Sequence, residues 1–357
     1  HNRDMAIAHK LMVSYDIGET TSTMMSLLNP ASPILGWNTG GEDKHTMLAT
    51  RYALFNTASN WSMNLSFLCA GAKSAERKRV KSIDPKTINF AETGKRYHSF
   101  VMSDGDNVGW KNSNFFGDVF FGAPDNKSIP MSWTSCSSML SMVNPCAWNK
   151  IVDEMSEHNT FIEYGGGYMY PDHFGKDRQG GQEENLRLFM RKVNENLKVT
   201  GVRVFGFICM EKLDDERTRK ACQIIVDEIE VLTGIIAVKY SPYNDNKGDV
   251  FWIKNRQGVD IPVVAPKYSL WKGISAAGSG DPTKIAGLIN NDPLDNCFTI
   301  VHAWSKYGTD DIQGTQAVAQ CKSDINSNSV KVVSLEELLW RIRMKHNPEE
   351  TKKVLGL

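Results

Sequence analysis

The acidic residues Asp104 and Asp106 follow an apolar run, Tyr97–Met102, that is typical of a buried β-strand. Residues two apart on an extended chain share one face, with Cα atoms roughly 6–7 Å apart, and Gly105 relieves the crowding between them. Such a pair can divide general acid and base roles, share a proton, orient a sugar hydroxyl or bind a cation. A turn in which Asn107 caps a short helix is the alternative, because Asp-Gly and Asp-Asn are common in turns.

A second cluster, from Gly165 to His173, follows the apolar run Thr160–Tyr164 and reads Gly-Gly-Gly-Tyr-Met-Tyr-Pro-Asp-His. Its glycines allow positive φ and close backbone approach, and Tyr168 and Tyr170 can face one side of an extended segment. A phosphate-binding loop is the rival interpretation, but no Lys-Ser/Thr pair follows and the spacing is not that of a dinucleotide fingerprint. The cluster therefore favours a tight loop that presents tyrosine hydroxyls to a ligand.

Two further acids complete the set of predicted catalytic residues. Asp172 lies just beyond the two tyrosines, and Glu211 follows the predicted strand Val202–Cys209. Because the functional residues of a parallel barrel lie where strands end, either acid could be the partner of Asp104 and Asp106 from a different strand. For Glu211, an acid favoured by the dipole of a helix first turn is the alternative. The catalytic candidates are Asp104, Asp106, Asp172 and Glu211.

The predicted substrate-binding residues are mostly aromatic. Sugar rings present flat C–H faces that stack on indoles and phenols, while their hydroxyls need polar partners. Core packing is the alternative for each of the nine tryptophans. Asn107 and His302 are expected to hold hydroxyl groups, with a buried core histidine as the alternative for His302. The candidates are Trp37, Asn107, Trp110, Trp133, Tyr168, Tyr170, His302 and Trp304.

Composition and missing motifs argue against several functions. The 41 basic and 41 acidic residues give zero formal charge, which disfavours nucleic acid, an acidic membrane surface or a polyanion as partner. GxSxG and HExxH are absent, and the seven cysteines form neither a CxxC pair nor a cluster with His at zinc-ligand spacing. No metal ion and no cofactor are therefore predicted. No apolar stretch approaches the roughly 20 residues that span a bilayer.

Strand-length apolar runs alternate with amphipathic stretches, a pattern typical of a parallel sheet flanked by helices. About eight such units predict a single α/β domain over residues 1–357. Its predicted fold is a (β/α) TIM-like barrel, in either a regular or an irregular form. A β-hairpin, Val250–Ile253 with Val259–Val264, is predicted as an insertion at residues 250–266 that forms a lip. The other predicted strands are Lys10–Tyr15, Pro33–Trp37, Met63–Ala70, Ile129–Thr134, Ile235–Tyr240, Phe298–Trp304 and Val330–Val333. The predicted helices are His45–Phe55, Ala147–Glu157, Glu183–Leu197, Glu211–Leu232, Asp310–Ile325 and Leu335–Lys345.

The segment Gly165–Pro171 matches the motif GxGYxYP at each fixed letter, and the chain thereby resembles the GxGYxYP family, which is classed with the glycoside hydrolases. The resemblance runs from about Pro33 to the helix that opens at Leu335. Three other segments share it, namely Phe100–Asn107, Ile129–Thr134 and His302–Ser305.

The resemblance implies a β/α-barrel domain preceded by a separate N-terminal domain, in exported bacterial proteins that use polysaccharides. We expect that leading domain to be missing or mostly missing here, with residues 1–16 as its junction or as the first barrel strand. The first residue, His1, also indicates a mature or excised piece whose targeting segment lies outside the sequence.

The residues and the resemblance together predict hydrolysis of a glycosidic bond in an oligo- or polysaccharide by two carboxyl groups. One protonates the leaving oxygen, and the other attacks the anomeric carbon or activates water. A non-catalytic carbohydrate-binding barrel is one alternative. A metal-dependent polysaccharide deacetylase is another, in which Asp104, Asp106 and His302 hold a cation and His173 is the nearest second histidine.

Overall fold

Residues 3–59 form a small N-terminal unit of helices and two short strands. The computed structural model describes residues 3–59, 70 and 74–357 of the chain. In chain order the unit contains α1 (Arg3–Ala8), α2 (Glu19–Leu27), β1 (Pro33–Leu35), α3 (Gly41–Arg51) and β2 (Phe55–Thr57). Strands β1 and β2 pair in parallel in a sheet of their own. Met25, Ala49 and Leu54 form the small apolar cluster of this unit.

Four predictions fall in or near this unit. The predicted strand Pro33–Trp37 is confirmed with a shifted end, since β1 ends at Leu35. Residues Lys10–Tyr15 are not a strand; they are mostly exposed and have no sheet partner, so their apolar side chains gain little from an extended pairing. The predicted helix His45–Phe55 is confirmed in part, since α3 ends at Arg51 and Phe55 belongs to β2. The predicted strand Met63–Ala70 lies outside the described residues except for residue 70.

A larger sheet forms the centre of the molecule. Eleven strands belong to it, whereas β13 and β14 pair with each other in an antiparallel ribbon. The strands after β2 are β3 (Arg96–Met102), β4 (Met131–Ser135), β5 (Thr160–Glu163), β6 (Val204–Cys209), β7 (Gly234–Lys239), β8 (Val250–Lys254), β9 (Asp260–Val264), β10 (Tyr268–Leu270), β11 (Ser279–Gly280), β12 (Asn296–Val301), β13 (Lys306–Tyr307), β14 (Ile312–Gln313) and β15 (Val330–Val332). The predicted strands from Tyr97 onward are confirmed with shifted ends, and β10, β11, β13 and β14 were not predicted.

The strand order resembles that of a (β/α) barrel, but the sheet is open. It runs β11-β10-β12-β3-β4-β5-β6-β7-β9-β8, and β15 also pairs with β3. Strands β3 to β7 are neighbours in sequence and in space, and β12 returns to the other edge of β3. Residues 265–267 alone separate β9 from β10, so the two arms of the sheet curl toward each other. No ladder joins β9 to β10 in the described part of the chain, and a closed TIM barrel is therefore not confirmed.

Strands β8 and β9 form the predicted hairpin, but it lies within the sheet. Strand β9 pairs in parallel with β7, and β8 pairs antiparallel with β9 at the sheet edge. Ile261, Val263 and Val264 are buried. Their apolar side chains are better buried within the sheet, whose faces are covered, than in a hairpin that projects above it. The expectation that this hairpin forms a lip is therefore wrong.

Helices pack on the sheet and enclose one large apolar core. After α3 they are α4 (Val108–Lys111), α5 (Ser137–Val143), α6 (Pro145–Glu154), α7 (Gly181–Thr200), α8 (Glu216–Glu228), α9 (Pro282–Asn290), α10 (Gly314–Ser323), α11 (Leu335–His346) and α12 (Pro348–Leu355). Helix α8 begins later than predicted because the carboxylate of Asp215 accepts a hydrogen bond from the amide of Arg217 at 2.9 Å and caps it there. Helix α10 begins at Gly314 because the two residues before it belong to β14.

The glycine-rich loop after β5 joins the N-terminal unit to the central sheet. Asn56 of β2 and Tyr168 of the loop form an antiparallel bridge, with N–H to O distances of 2.9 and 2.8 Å. The amide of Tyr170 donates to the hydroxyl of Thr50 at 3.1 Å. A Cβ on Gly167 would stand 2.3 Å from the carbonyl oxygen of Asn56, so the bridge requires glycine at that position. The loop therefore fixes α3 and β2 against the strand ends.

Gly167→Ala is expected to loosen this junction. The new Cβ must displace the backbone at Asn56, and overpacking of this kind lowers the free energy of unfolding by about 1–3 kcal/mol. Gly287→Ala is the matched control, because Gly287 lies inside α9 with no atom within 4 Å of its Cβ position. That change should leave stability unchanged or raise it by up to about 1 kcal/mol. Urea unfolding compares the two, and equal stabilities would contradict the role assigned to Gly167.

Candidate active site

The end of β3 turns sharply and is pinned to β4. The amide of Gly105 donates to the hydroxyl of Thr134 at 2.8 Å, and that hydroxyl donates to the carbonyl of Met102 at 2.7 Å. A Cβ on Gly105 would stand 1.7 Å from the carbonyl oxygen of Thr134, so only glycine fits. Asp104 has a φ of +64°, in the left-handed region that few residues other than glycine adopt. This segment, the Asp104–Asp106 turn, holds its two acids in a fixed relation.

Asp104 is the half-buried acid of the turn. Its Oδ1 accepts a hydrogen bond from the indole Nε1 of Trp304 at 2.8 Å, and its Oδ2 accepts one from the hydroxyl of Ser103. Trp304 is 41% exposed, so its ring offers an open surface beside the acid. Asp104 is therefore held in place while it stays accessible to a ligand.

Asp106 is the buried acid, with 6% of its surface exposed. Burial raises the pKa of Asp106 well above its usual range, and the nearby carboxylates of Asp104 and Glu42 raise it further. The ammonium of Lys111 opposes this rise, but burial lowers the pKa of Lys111 itself. The Lys111 Nζ has no hydrogen-bond partner among the described residues and lies 3.5 Å from the centre of the Phe115 ring. The environment of Asp106 therefore favours its protonated form.

A third acid, Glu42, reaches the same cleft from the first turn of α3. Glu42 keeps solvent-exposed surface, yet the cleft walls surround it on several sides. This confinement raises the pKa of Glu42 to about 7, and the carboxylates of Asp104 and Asp43 are the smaller causes. Sequence analysis missed Glu42, because an acid in a first helical turn is ordinary. Its position shortly after the predicted strand Pro33–Trp37 is the signal that could have found it.

Glu42 and Asp106 line a narrow cleft together with several tyrosines, and its free volume of about 10 Å³ holds one water molecule or one hydroxyl group. Tyr164, Tyr168 and Tyr170 are each more than nine-tenths buried. Their hydroxyls have no hydrogen-bond partner in the part of the chain that the structure describes, and none is sealed from solvent. Hydroxyls of this kind are available to a polar ligand. The other lining residues include Glu42, Thr46, Asp106, Phe207, Ile208 and Tyr240.

A stack of three rings stands near Asp104. The ring centres of Tyr243 and Trp271 are 4.1 Å apart, and those of Trp271 and His302 are 3.9 Å apart, with nearly parallel planes. The Nδ1 of His302 also lies 2.8 Å from the hydroxyl of Ser305. Burial lowers the pKa of His302, against the opposing charge of Asp104. Trp271 follows β10, a strand that was not predicted, so sequence analysis missed this ring.

Asp172 and Glu211 form a second cluster. The Oδ2 of Asp172 accepts hydrogen bonds from the amides of residues 210 and 211, both at 2.8 Å. The carboxylate of Glu211 pairs with His173 at 3.0 Å and with Arg217 at 2.9 Å. Within the described residues, no hydrogen bond or ion pair joins this cluster to the Asp104–Asp106 turn. The two acids instead tie the loop after β5 to the end of β6.

Several predicted substrate-binding residues make structural contacts. Trp133 is fully buried, and Trp110 is 3% exposed in the same apolar core. The side chain of Asn107 accepts a hydrogen bond from the amide of Trp110 at 2.9 Å and caps α4. Trp37 is half-buried, and its ring packs edge-to-face on Tyr168 at 4.8 Å. These contacts agree with core packing and helix capping, which were the alternatives to ligand binding.

A buried carboxylate at the end of β5 supports the tyrosine loop. Glu163 has no exposed surface. It accepts hydrogen bonds from the hydroxyls of Ser137 and Ser138, from the amide of Ser138 at 2.8 Å and from the amide of Gly166 at 2.8 Å. Burial raises the pKa of Glu163, and these donors oppose the rise. Sequence analysis did not select it because it lies inside a predicted strand.

Asp106→Asn is expected to raise the free energy of unfolding at neutral and alkaline pH. The raised pKa of Asp106 favours its protonated form in the folded protein, whereas the unfolded chain releases this proton once the pH passes about 4. The folded state therefore loses stability as the pH rises from there toward the raised pKa, and the amide variant escapes this loss.

Thermal unfolding at pH 4 and pH 8 checks this prediction, with Asp118→Asn as the control because Asp118 is exposed. The stabilisation by Asp106→Asn should be larger at pH 8. A gain of equal size at both pH values, or a loss of stability at pH 8, would contradict a protonated Asp106.

Three further findings bear on function. Among residues 3–59, 70 and 74–357, no group of three or more His, Cys, Asp or Glu side chains is placed to hold a metal ion. No helix in these residues combines the length and apolar character that crossing a bilayer requires. The six cysteines that the structure describes are free, and all except Cys146 are buried.

The fold and the cleft define an α/β protein whose acids and tyrosines meet at the carboxyl ends of parallel strands. Residues 94–343 match the domain described as "GxGYxYP putative glycoside hydrolase C-terminal domain", and residues 1–70 match the "GxGYxYP third domain". The first match covers well over half of the chain, and the chain belongs to the GxGYxYP family. The resemblance is thus confirmed. The expectation that the leading domain is missing or mostly missing is wrong, because residues 1–70 carry one of the family's domains.

A solved structure shares the fold. It is described as a putative hydrolase from Bacteroides thetaiotaomicron VPI-5482, with a TM-score of 0.78 and 18% sequence identity. The alignment covers 96% of this chain and 64% of that protein, so the chain spans less than two thirds of its length. At this identity the likeness shows the fold alone. No curated protein matches the sequence.

Proposed function

We propose that the protein hydrolyses a glycosidic bond in an oligo- or polysaccharide at this cleft. The Asp104–Asp106 turn carries the proposal, because it places the half-buried Asp104 two residues from Asp106, a buried acid of raised pKa that lines a cleft rich in tyrosines. The matched family domain is described as a "putative glycoside hydrolase" domain and the solved structure as a "putative hydrolase", and both descriptions support the proposal.

The turn supplies one half of a two-carboxylate mechanism. Asp104 is accessible and oriented by Trp304, so it is the group that attacks the anomeric carbon or activates a water molecule. The raised pKa of Asp106 favours its protonated form, which can donate a hydrogen bond to the sugar. The proton donor for the leaving oxygen has to approach from the opposite side of the glycosidic bond, because acid and base act on opposite ends of the bond being broken.

Recognition of the sugar rests on rings and hydroxyls. Trp304 offers an open indole face next to Asp104, which suits the C–H face of a sugar. The hydroxyls of Tyr164, Tyr168 and Tyr170, which have no partners among the described residues, can bind a sugar hydroxyl that enters the cleft. The chain has zero formal charge, which agrees with a neutral substrate.

A carbohydrate-binding barrel without catalysis is the second candidate, since the same rings and hydroxyls would serve binding alone. The metal-dependent deacetylase gains no support from the described residues, where no three suitable side chains are grouped as metal ligands. Following the family resemblance, we also propose that the protein is bacterial and exported; cell fractionation of the source organism tests the location.

Asp104→Asn is expected to lower the rate of sugar release by about 10²–10⁴-fold while sugar binding persists, because the amide keeps the shape but cannot act as base or nucleophile. The wild-type protein is first incubated with plant, host and microbial glycans, with and without chelator, and released reducing ends and acetate are measured. Asp118→Asn is the control variant and should match the wild type.

The outcomes separate the candidates. Sugar release that resists chelator and disappears in Asp104→Asn supports hydrolysis. Binding of a glycan without release by the wild type supports the binding barrel. Release of acetate alone, sensitive to chelator, supports the deacetylase, and full activity in Asp104→Asn contradicts the role of the turn.

A further inference from the structure

We propose that Glu42, which belongs to the N-terminal unit, is the proton donor that faces Asp104 across the cleft. This inference rests on the proposed glycosidase function and names the second carboxyl group, which sequence analysis assigned to Asp172 or Glu211. It makes the N-terminal unit part of the active site.

Docking of the N-terminal unit on the loop after β5 positions Glu42. Thr50 and Asn56 bind the loop after β5 directly, and Glu42 stands about two turns before Thr50 on the same helix, α3. Because the helix is rigid, docking of its C-terminal end through Thr50 also fixes the position of Glu42 at its N-terminal end. Glu42 and Asp106 line one and the same cleft as a result.

Glu42 is free to act, unlike the two acids of the second cluster. The carboxylate of Glu211 is engaged by His173 and Arg217. The Oδ2 of Asp172 binds two backbone amides, and its unpaired Oδ1 is sealed from solvent. Glu42 has no hydrogen bond or ion pair with any described residue. A carboxyl group without partners in a concave site is available to a substrate oxygen.

Tyrosine hydroxyls without partners line the cleft near Glu42. Tyr164, Tyr168 and Tyr170 are more than nine-tenths buried, and their hydroxyls keep contact with solvent but lack partners among the described residues. Polar groups in such a place are satisfied by water or by a ligand. The free volume of about 10 Å³ admits one water molecule or one hydroxyl group, so these tyrosines can bind a sugar hydroxyl beside Glu42.

Electrostatics supports the role of donor. Confinement and the charges of Asp104 and Asp43 raise the pKa of Glu42 to about 7, which suits a general acid at neutral pH. The titratable groups whose charges interact with Glu42 are Asp43, Asp104, Asp106, Tyr168, Tyr170, Tyr240 and Tyr243. The tyrosines remain neutral, because burial raises the pKa of each.

Cleavage of the glycosidic bond moves one proton from Glu42 and adds one water molecule. Glu42 gives its proton to the glycosidic oxygen, which departs with the electron pair of the broken bond to the anomeric carbon. Water supplies the oxygen that the anomeric carbon finally bonds, and one proton of that water passes to a carboxylate. Exchange with solvent then reprotonates Glu42, so one water is consumed for each bond cleaved.

Glu42→Gln tests the assignment, with Glu19→Gln as the matched control because Glu19 is also an exposed acid in the first turn of a helix of the same unit. On a natural glycan, Glu42→Gln should lose about 10²–10⁴-fold in kcat, whereas Glu19→Gln should keep the wild-type rate. On a dinitrophenyl glycoside, whose leaving group needs no proton, Glu42→Gln should retain a rate within about 10-fold of the wild type. Asp104→Asn should be slow on both substrates.

The pH profile gives a further reading. The wild-type rate should fall as the pH rises through about 7, since Glu42 loses its proton there, and this limb should vanish in Glu42→Gln. A wild-type rate in Glu42→Gln, or an equal loss on both substrates with the limb intact, overturns the proposal. Matching melting temperatures of the two Gln variants show that the losses are not due to unfolding.

A measurement without turnover separates failure of this inference from failure of the proposed function. Carbon-13 NMR of labelled glutamate carboxyls follows Glu42 in the wild type and in Asp104→Asn. Removal of the facing charge should lower the pKa of Glu42, and an unchanged titration contradicts the juxtaposition. If the wild type cleaves no glycan, the glycosidase proposal fails, and the NMR result still decides whether Glu42 faces Asp104.

Discussion

Two backbone hydrogen bonds between Asn56 and Tyr168 hold the N-terminal unit against the carboxyl ends of the central strands. They form only because Gly167 has no side chain to separate the two backbones. The same loop is tied from below by Glu163, whose buried carboxylate binds the amide of Gly166. The family motif therefore serves first to attach the N-terminal unit to the central sheet. This attachment brings a helix of one domain over the strand ends of another and so allows the proposed function.

Docking creates an unfavourable concentration of negative charge. Glu42 and Asp106 line one narrow cleft, where burial raises the pKa of both acids and the charge of Asp104 raises it further. The one nearby cation in the described residues, Lys111, is itself buried among aromatic rings and lacks a hydrogen-bond partner. A fold selected for stability alone would avoid this arrangement. Active sites tolerate such conflicts because the same repulsion keeps a proton where catalysis requires it.

The sequence predicted those parts of the molecule that depend on local pattern. Strand β3 and the acids that follow it were found because an apolar run ends in Asp-Gly-Asp, and the motif loop because its glycines and tyrosines are adjacent. Glu42 and Trp271 were missed because their place in the site depends on which distant segments pair, and no local pattern encodes that. The prediction that the hairpin of β8 and β9 forms a lip was wrong for the same reason. A hairpin has the same sequence pattern whether it joins a sheet or stands apart from it. The number of predicted strands likewise does not reveal that the sheet is open between β9 and β10.

A crystal structure of the Asp104→Asn protein with an uncleaved oligosaccharide tests the central claim most directly, because it shows which groups flank the glycosidic bond. The account predicts a glycosidic oxygen within about 3 Å of the Glu42 carboxyl group, with the anomeric carbon facing residue 104. The hydroxyls of Tyr164, Tyr168 or Tyr170 should contact the sugar. A sugar bound away from this cleft, or one whose glycosidic oxygen lies against Glu211 or Asp172, would contradict the account.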